Sequence, residues 1–499
     1  MSTPQDQGHS LLRDLSWAGV LLLALATSFI LHRRAGLTFP LPWPDEAVFL
    51  WPAEMLAERG TWIAPQLNDS RPILWMPPGY TVLMAAIFRW VPLSLVLSRW
   101  ISWIFSAAAV AGLLVLYRRQ RSTLAILPVV GALAIVPTWV IMGNIARMEG
   151  LLLCTTVCGF LLVSSERQWK GIALLGMGPL IHPNGVVFLA AGVVSVILSL
   201  RRRNARLTNT DFVAVSAVAL LYIGYAILVF RYRAAFFDDM RYQFARKASW
   251  SVIGALLAPR SLFLALGIAG AAFASWRIWG RPRPSYWLTV ASCVIPVLSG
   301  EMWYIVFGDL GILLLLAEWL DIAATMGFAV LGLFGLSSRA IQWLTISVLV
   351  AASAISLRFA RWLGVTASPV DLPGDLSWDC MRMRAAPYLE QAERRAMVEA
   401  VSRLSQRLHA SRIQFQPPSD GLLILAERSS EYLPFFPIFT EKKHDLLVIH
   451  QASEWRDCGF DGSAPVEQNG RSERPLFHYD RDSGHRWYVF QPPRRSGEP

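Results

Sequence analysis

The sequence predicts an all-α polytopic membrane protein that carries a small α/β soluble C-terminal tail. Three observations make the prediction. The 499 residues are 54% hydrophobic and only 16% charged, against about 25% charged in an ordinary soluble domain. Long apolar runs recur from Leu15 to Leu357, as bilayer spans do. Basic residues collect in the short turns between those runs, the pattern that fixes a membrane topology. The net charge of +11 therefore belongs to loops at a lipid surface. A nucleic-acid footprint would need a basic face on a soluble fold.

The elements follow in order. Residues 1–14 are polar and read as cytoplasmic. The run Trp17–Ala26 has the length of a signal sequence, but its flank is weakly positive and the apolar stretch continues to Leu31. An uncleaved first span, Leu15–Leu31, is expected. Residues 35–80 form an outer loop with surface helices. Thr81–Trp90 is apolar but short. Ser98–Tyr117 is a span ending at Arg118, Arg119 and Arg121, hence inside. Leu124–Met142 runs outward to Asn144, Arg147 and Glu149, and Gly150–Val163 returns to Glu166, Arg167 and Lys170. Gly171–Ile181 leads out to the turn His182-Pro183-Asn184-Gly185. Val186–Leu200 returns to Arg201, Arg202, Arg203 and Arg206. Phe212–Phe230 reaches an outer loop holding Arg231, Arg233, Asp238, Asp239, Arg241, Arg246 and Lys247. Ser261–Ser275 goes in toward Arg277, Arg281 and Arg283, and Tyr286–Ser299 goes out to Glu301, Trp303 and Tyr304. Between Ile305 and Leu357, tight turns are expected at Glu318/Asp321 and at Ser337–Arg339. The total is roughly 10 to 12 spans at about 20 residues each.

Two domains result: a transmembrane domain over 1–357 and a soluble region over 358–499. The tail has a polar helical stretch, Ala385–His409, and strand-like runs at Gly421–Leu425, Asp445–His450 and Trp487–Phe490. Cys154, Cys158 and Cys293 lie in apolar runs and read as packing residues. Cys380 and Cys458 lie in the tail. They pair if the tail faces an oxidising compartment and are free thiols otherwise.

With this topology, most ionisable residues outside the basic turns fall on one outer face. The stretch Pro44–Tyr80 opens with the adjacent acids Asp45 and Glu46. It continues as an amphipathic run with Val48, Phe49, Trp51, Met55 and Leu56 on one side and Glu54, Glu58 and Arg59 on the other. Carboxylates at a membrane surface cost free energy unless solvated or partnered. Such a pair can take a proton from, or polarise, an incoming hydroxyl or amine. The same pair also suits a helix start, where acids satisfy free N–H groups. Arg147 and Glu149 fit a phosphate contact with a second acid, or an interfacial anchor. His182 fits phosphate binding, proton transfer or a structural turn. Arg231, Arg233 and Arg241 fit a phosphate head group or ordinary anionic lipid. Arg71, Tyr80, Glu301 and Tyr304 complete the candidate substrate-binding set, with Glu301 and Tyr304 also suited to an interfacial anchor. The eight His are scattered, and neither HExxH, CxxC, a Walker loop nor a GxGxxG after a strand occurs. No cofactor and no resident metal is expected, so energy must arrive in the substrate or in a gradient.

These motifs together resemble the C-type membrane glycosyltransferases, the superfamily of protein O-mannosyltransferases and lipid A aminoarabinose transferases. The resemblance rests on PDEA at 44–47, LAERGTW at 56–62, MPPGYTVLMAAIFR at 76–89, ARMEGLLL at 146–153, HPNG at 182–185 and EMWYIVF at 301–307. It implies a glycosyltransferase-C-like fold and a polyprenyl-phosphate-linked sugar donor. It also implies inverting transfer to a lipid, glycan or protein acceptor at the extracytoplasmic face of a bacterial-type inner membrane. Asp45, with Glu46 beside it, would be the acceptor-activating acid, and Glu149 matches the second acidic position. Many members carry Lys or His before the Pro-Pro pair. Here Met76 stands there, and Arg71 is the nearby cation that would replace it. The tail would be extracytoplasmic, which requires an odd number of spans and agrees with a Cys380–Cys458 bridge. The rival class is a transporter or lipid flippase. It calls for charges at mid-span and discontinuous helices in two related halves, whereas here the charges gather at one face.

Overall fold

The structure is a computed structural model. It describes residues 4–35, 44–120, 126–165, 167–200, 208–247, 259–299 and 305–333, except Gln66, Asp69, the pair 134–135 and Arg281, together with short pieces between 400 and 490. In chain order the helices are α1 (Pro4–Ala35), α2 (Pro44–Arg59), α3 (Gly79–Phe88), α4 (Leu95–Arg119), α5 (Ile126–Leu133), α6 (Pro137–Gly143), α7 (Met148–Val163), α8 (Gln168–Gly176), α9 (Gly178–Ile181) and α10 (Gly185–Leu200). They continue with α11 (Asn209–Arg231), α12 (Arg233–Lys247), α13 (Pro259–Trp279), α14 (Pro284–Ser299) and α15 (Ile305–Leu333).

Among the described residues two helices, α4 and α11, are long and apolar enough to cross a membrane. Shorter apolar helices lie in α1, α3, α7, α10, α13 and α14. Full-length spans are thus fewer among these residues than the 10 to 12 expected. The exterior still carries contiguous large apolar side chains. On α11, Phe212, Leu220 and Phe230 are 72%, 67% and 75% exposed. Patches of this extent suit contact with lipid.

The chain runs back and forth between two ends. α4 packs along α7, α7 along α8, and α14 along α15. Glu46 of α2, Arg99 early in α4 and the loop before α7 meet at one end, the site end. Tyr117 late in α4, Ser285 early in α14 and Glu318 late in α15 meet at the other. Tight approaches fix the site end. A Cβ on Gly79 would lie 2.6 Å from the Leu180 carbonyl oxygen, so α3 starts directly against the end of α9.

Four expectations need correction. The stretch Arg231–Lys247, expected as a loop, is helical: α11 ends at Arg231 and α12 runs from Arg233 to Lys247. Within the run Leu124–Met142 the described residues form two helices, α5 and α6. Pro137 starts α6 behind Val136, which has φ −58° and ψ 127°. A proline fits the first helical position, where no N–H is needed, and cannot sit in the interior of one continuous span without breaking a bond. Glu318 and Asp321 are not in a tight turn but inside α15. Their cost is offset by partners from other helices. Glu318 Oε1 accepts from Ser285 Oγ at 2.6 Å and Tyr117 OH at 3.1 Å, and Asp321 pairs with Arg283. Glu54 does not share an exposed face with Glu58 and Arg59: it is 1% exposed. α2 is covered on both sides, buried from Glu46 through Met55, so the one-face rule for surface helices does not apply to it.

The described tail strands are β1 (Ile413–Gln416), β2 (Leu446–Ala452), β3 (Glu467–Gln468), β4 (Arg471–Ser472), β5 (Phe477–Asp480) and β6 (His485–Phe490). Four form a sheet of order β1-β2-β6-β5, in which β1 and β2 are parallel and the other pairs antiparallel. β3 and β4 pair separately. β2 and β6 fall on the expected runs Asp445–His450 and Trp487–Phe490. Gly421–Leu425, Ser337–Arg339, Cys380 and Cys458 lie outside the described residues.

Candidate active site

Asp45 and Glu46 open the first turn of α2, and their side chains diverge. Glu46 turns inward and is fully buried. Arg99 grips it with two parallel bonds, Nε to Oε1 at 3.0 Å and Nη2 to Oε2 at 2.9 Å. This fork geometry gives both energy and orientation. Glu46 Oε1 also accepts the backbone N–H of Ala146 at 2.7 Å. One carboxylate therefore ties α2, α4 and the α6–α7 loop together.

Asp45 turns outward. Arg147 Nη1 donates to its Oδ2 at 2.9 Å, and Arg147 Nη2 lies 2.9 Å from Glu149 Oε1. The Asp45 side chain is 21% exposed, against 5% for Arg147 and 7% for Glu149. Three carboxylates thus face two guanidiniums, and Asp45 is the member that reaches open space. Arg147 caps α7 with extended backbone, and Glu149 sits in the first turn of that helix, where a negative charge is favoured. Gly150 lets this turn press on α4: a Cβ there would be 3.0 Å from the Ser102 carbonyl oxygen. Ser102 in turn lies 3.3 Å, Oγ to OH, from Tyr80. Tyr80 is fully buried and within electrostatic reach of Glu46 and Glu149, so it backs the acids from inside.

The remaining expected residues lie at varying remove. His182 is fully buried; its Nδ1 accepts the Asn184 N–H at 3.0 Å, and its ring sits 6.4 Å from that of Phe307. Arg71 reaches α12 instead of the acids. Its Nη1 donates to Asp239 Oδ1 at 2.8 Å and to the Ala235 carbonyl at 3.2 Å, while Asp239 Oδ2 accepts the Leu74 N–H at 2.6 Å. Arg231, Arg233 and Arg241 are exposed on the end of α11 and on α12. Glu301 and Tyr304 lie outside the described residues.

An apolar cavity of about 720 Å³ runs between α3, α7, α9 and α11, lined among others by Val82, Leu83, Leu151, Leu180, Leu220 and Tyr225, with Arg231 also on its wall. Its α7 wall begins at Leu151, two residues beyond Glu149. The cavity joins an oily wall to a cationic group, as a site for an amphiphile with an anionic head requires.

Arg99 is a functional residue absent from the expected set. Its signal is an arginine inside the apolar run that begins at Leu95; an ionisable residue in such a run calls for a named partner. Glu54 is buried in α2, not exposed alongside Glu58 and Arg59 as the amphipathic pattern predicts. Burial pushes its carboxyl from the ordinary 4.5 up to about 8, with Glu58 adding repulsion and Arg59 opposing. The folded chain therefore keeps a proton that the unfolded chain releases above about pH 4.5. Stability should fall as pH climbs from there toward 8 and then level off. Glu54→Gln should remove this component, so its thermal midpoint should drop less between pH 5 and pH 8.5 than that of the unsubstituted protein. Parallel declines would show that Glu54 does not hold the proton.

The fold has a counterpart among solved structures. The particular likeness is to the crystal structure of ArnT from Cupriavidus metallidurans bound to undecaprenyl phosphate. The TM-score is 0.50, with 94% of this chain and 98% of that one covered and 13% of residues identical. This likeness is one of fold. No protein-family model and no curated protein matches the sequence.

Proposed function

We propose that this chain transfers a sugar from a polyprenyl-phosphate-linked donor to an acceptor at the extracytoplasmic face of a bacterial-type inner membrane, with inversion at the anomeric carbon. One observation carries the reading: Asp45 and Glu149, more than 100 residues apart, converge on Arg147. Asp45 is the more exposed of the two and can accept the proton of the incoming hydroxyl or amine. The acceptor atom then attacks the anomeric carbon as the bond to the phosphate oxygen breaks on the opposite face. The leaving electron pair stays on the phosphate. Arg231, on the cavity wall, is placed to neutralise it, with Arg233 and Arg241 nearby in sequence, while Arg147 aims Asp45. The apolar cavity takes the first part of the prenyl chain. The fold likeness to an enzyme crystallised with undecaprenyl phosphate supports such a lipid partner.

α15 carries in-helix charges of the kind a transporter would have: Asp309, which accepts from Thr138 Oγ1 of α6 at 2.6 Å, and farther along Glu318 and Asp321. Glu318 receives two hydroxyl donors and Asp321 a guanidinium, all at the end opposite the site. That arrangement fits a structural anchor better than a transport path. The proposal is tested with purified protein in lipid nanodiscs and a panel of undecaprenyl-phosphate sugars, following free undecaprenyl phosphate by mass spectrometry. Acceptor-dependent release from at least one donor is expected. No release from any donor, across lipid, glycan and peptide acceptors, would overturn it.

A further inference from the structure

α1 ends at the site with a feature that the reaction just proposed leaves unused. His32 is 4% exposed and its Nδ1 is hydrogen-bonded to Asn144 Oδ1. A carbonyl oxygen only accepts, so this contact calls for the tautomer that carries its proton on Nδ1. Two tryptophans flank the ring. Trp100 meets it edge-on at 4.3 Å and Trp103 stacks at 5.7 Å, both between ring centroids. Trp103 is itself fixed to α1, its indole N–H donating to Ser28 Oγ at 3.0 Å. Asn144, 1% exposed, is the C-cap of α6. It begins the short loop in which Ala146 N–H holds Glu46 and Arg147 holds Asp45 and Glu149.

We infer that His32 is a positioning residue: the α1 imidazole, clamped between two tryptophans, sets the α6–α7 loop so that Arg147 presents Asp45 and Glu149 in register. The inference rests on the transfer reaction proposed above for its functional consequence, but not for the contact itself. Small displacements of such a loop are expensive, since a misplacement of about 1 Å can cost on the order of 100-fold in rate.

The variants separate ring packing from hydrogen bonding. His32→Phe keeps an aromatic ring and loses the donor. His32→Asn loses the ring but places an amide N–H where Nδ1 stood. Asn144→Ala removes the acceptor from the loop side and stands in if a His32 variant does not fold. For His32→Phe and for Asn144→Ala, kcat should fall about 10- to 100-fold with donor KM moving less than about threefold. His32→Asn should recover most of kcat. The double variant His32→Phe/Asn144→Ala should be no worse than either single one, as expected of two ends of one contact.

A second readout does not depend on turnover. Hydrogen exchange at the Ala146 amide should quicken in His32→Phe and Asn144→Ala and stay slow in His32→Asn. Unchanged exchange, or additive losses in the double variant, would overturn the inference. If exchange responds while no variant and no unsubstituted protein releases undecaprenyl phosphate, the positioning stands and the transfer reaction falls.

Discussion

Asp45→Asn should lower transfer by about 100- to 10,000-fold, the range that a positioned general base supplies, while the chain stays folded. The amide oxygen can still accept the bond from Arg147 Nη1, now 2.9 Å from Asp45 Oδ2, so the loop geometry survives. The amide cannot take a proton. Donor binding should change little, because the apolar cavity and Arg231 are untouched, and the loss should fall on kcat. The measurement is single-turnover release of undecaprenyl phosphate at saturating donor, with thermal unfolding of the same preparation as the control for folding. Turnover within about threefold of the unsubstituted enzyme would remove Asp45 from the chemistry, since a base contributes well above that.

The largest stability effect should come from Arg99→Met. Glu46 is fully buried and Arg99 1% exposed. Removing the guanidinium leaves a carboxylate without its main counter-charge in a low-dielectric setting. Breaking buried pairs in this way costs about 3–5 kcal/mol. Arg99→Lys should be only a partial substitute, because an ammonium cannot make the two parallel bonds. The double replacement Arg99→Met/Glu46→Leu should recover much of the lost stability, as apolar substitutes for buried pairs often do. It should not recover activity, because the Ala146 N–H then loses its acceptor and the loop its anchor. Unfolding midpoints of the single and double variants decide the matter; equal destabilisation in both would mean that the pair is not the source.

The site was half legible in the sequence, for a physical reason. Asp45, Glu46, Arg147 and Glu149 stand out because an acid or base flanking an apolar run must be solvated or partnered. The partner of Glu46 could not be read, since Arg99 lies 53 positions away. Glu318 shows the same limit. A carboxylate in an apolar run reads as a turn, and only the hydroxyls of Tyr117 and Ser285, brought by other helices, let it stay helical. Glu54 fails for a related cause. Amphipathic reading assumes one face toward water, and α2 has none along most of its length. His32 is not marked by the sequence at all, because nothing there points to Asn144, 112 positions away, as its mate. The broad architecture needed no such long-range knowledge, since hydrophobicity and the placement of arginines are local.

α11 supplies one wall of the apolar cavity, yet it rests on little protein. It packs chiefly along α8, with Tyr222 OH donating to the Gly176 carbonyl at 2.8 Å. Past its other end, Asp239 on the adjoining α12 is tied to Arg71 and Leu74. Between those moorings Ile223, Ile227 and Phe230 are 55%, 63% and 75% exposed, a surface that suits hydrocarbon tails. The width of the cavity should therefore follow acyl length and lateral pressure, and the transfer proposed above should vary with the bilayer that holds the chain.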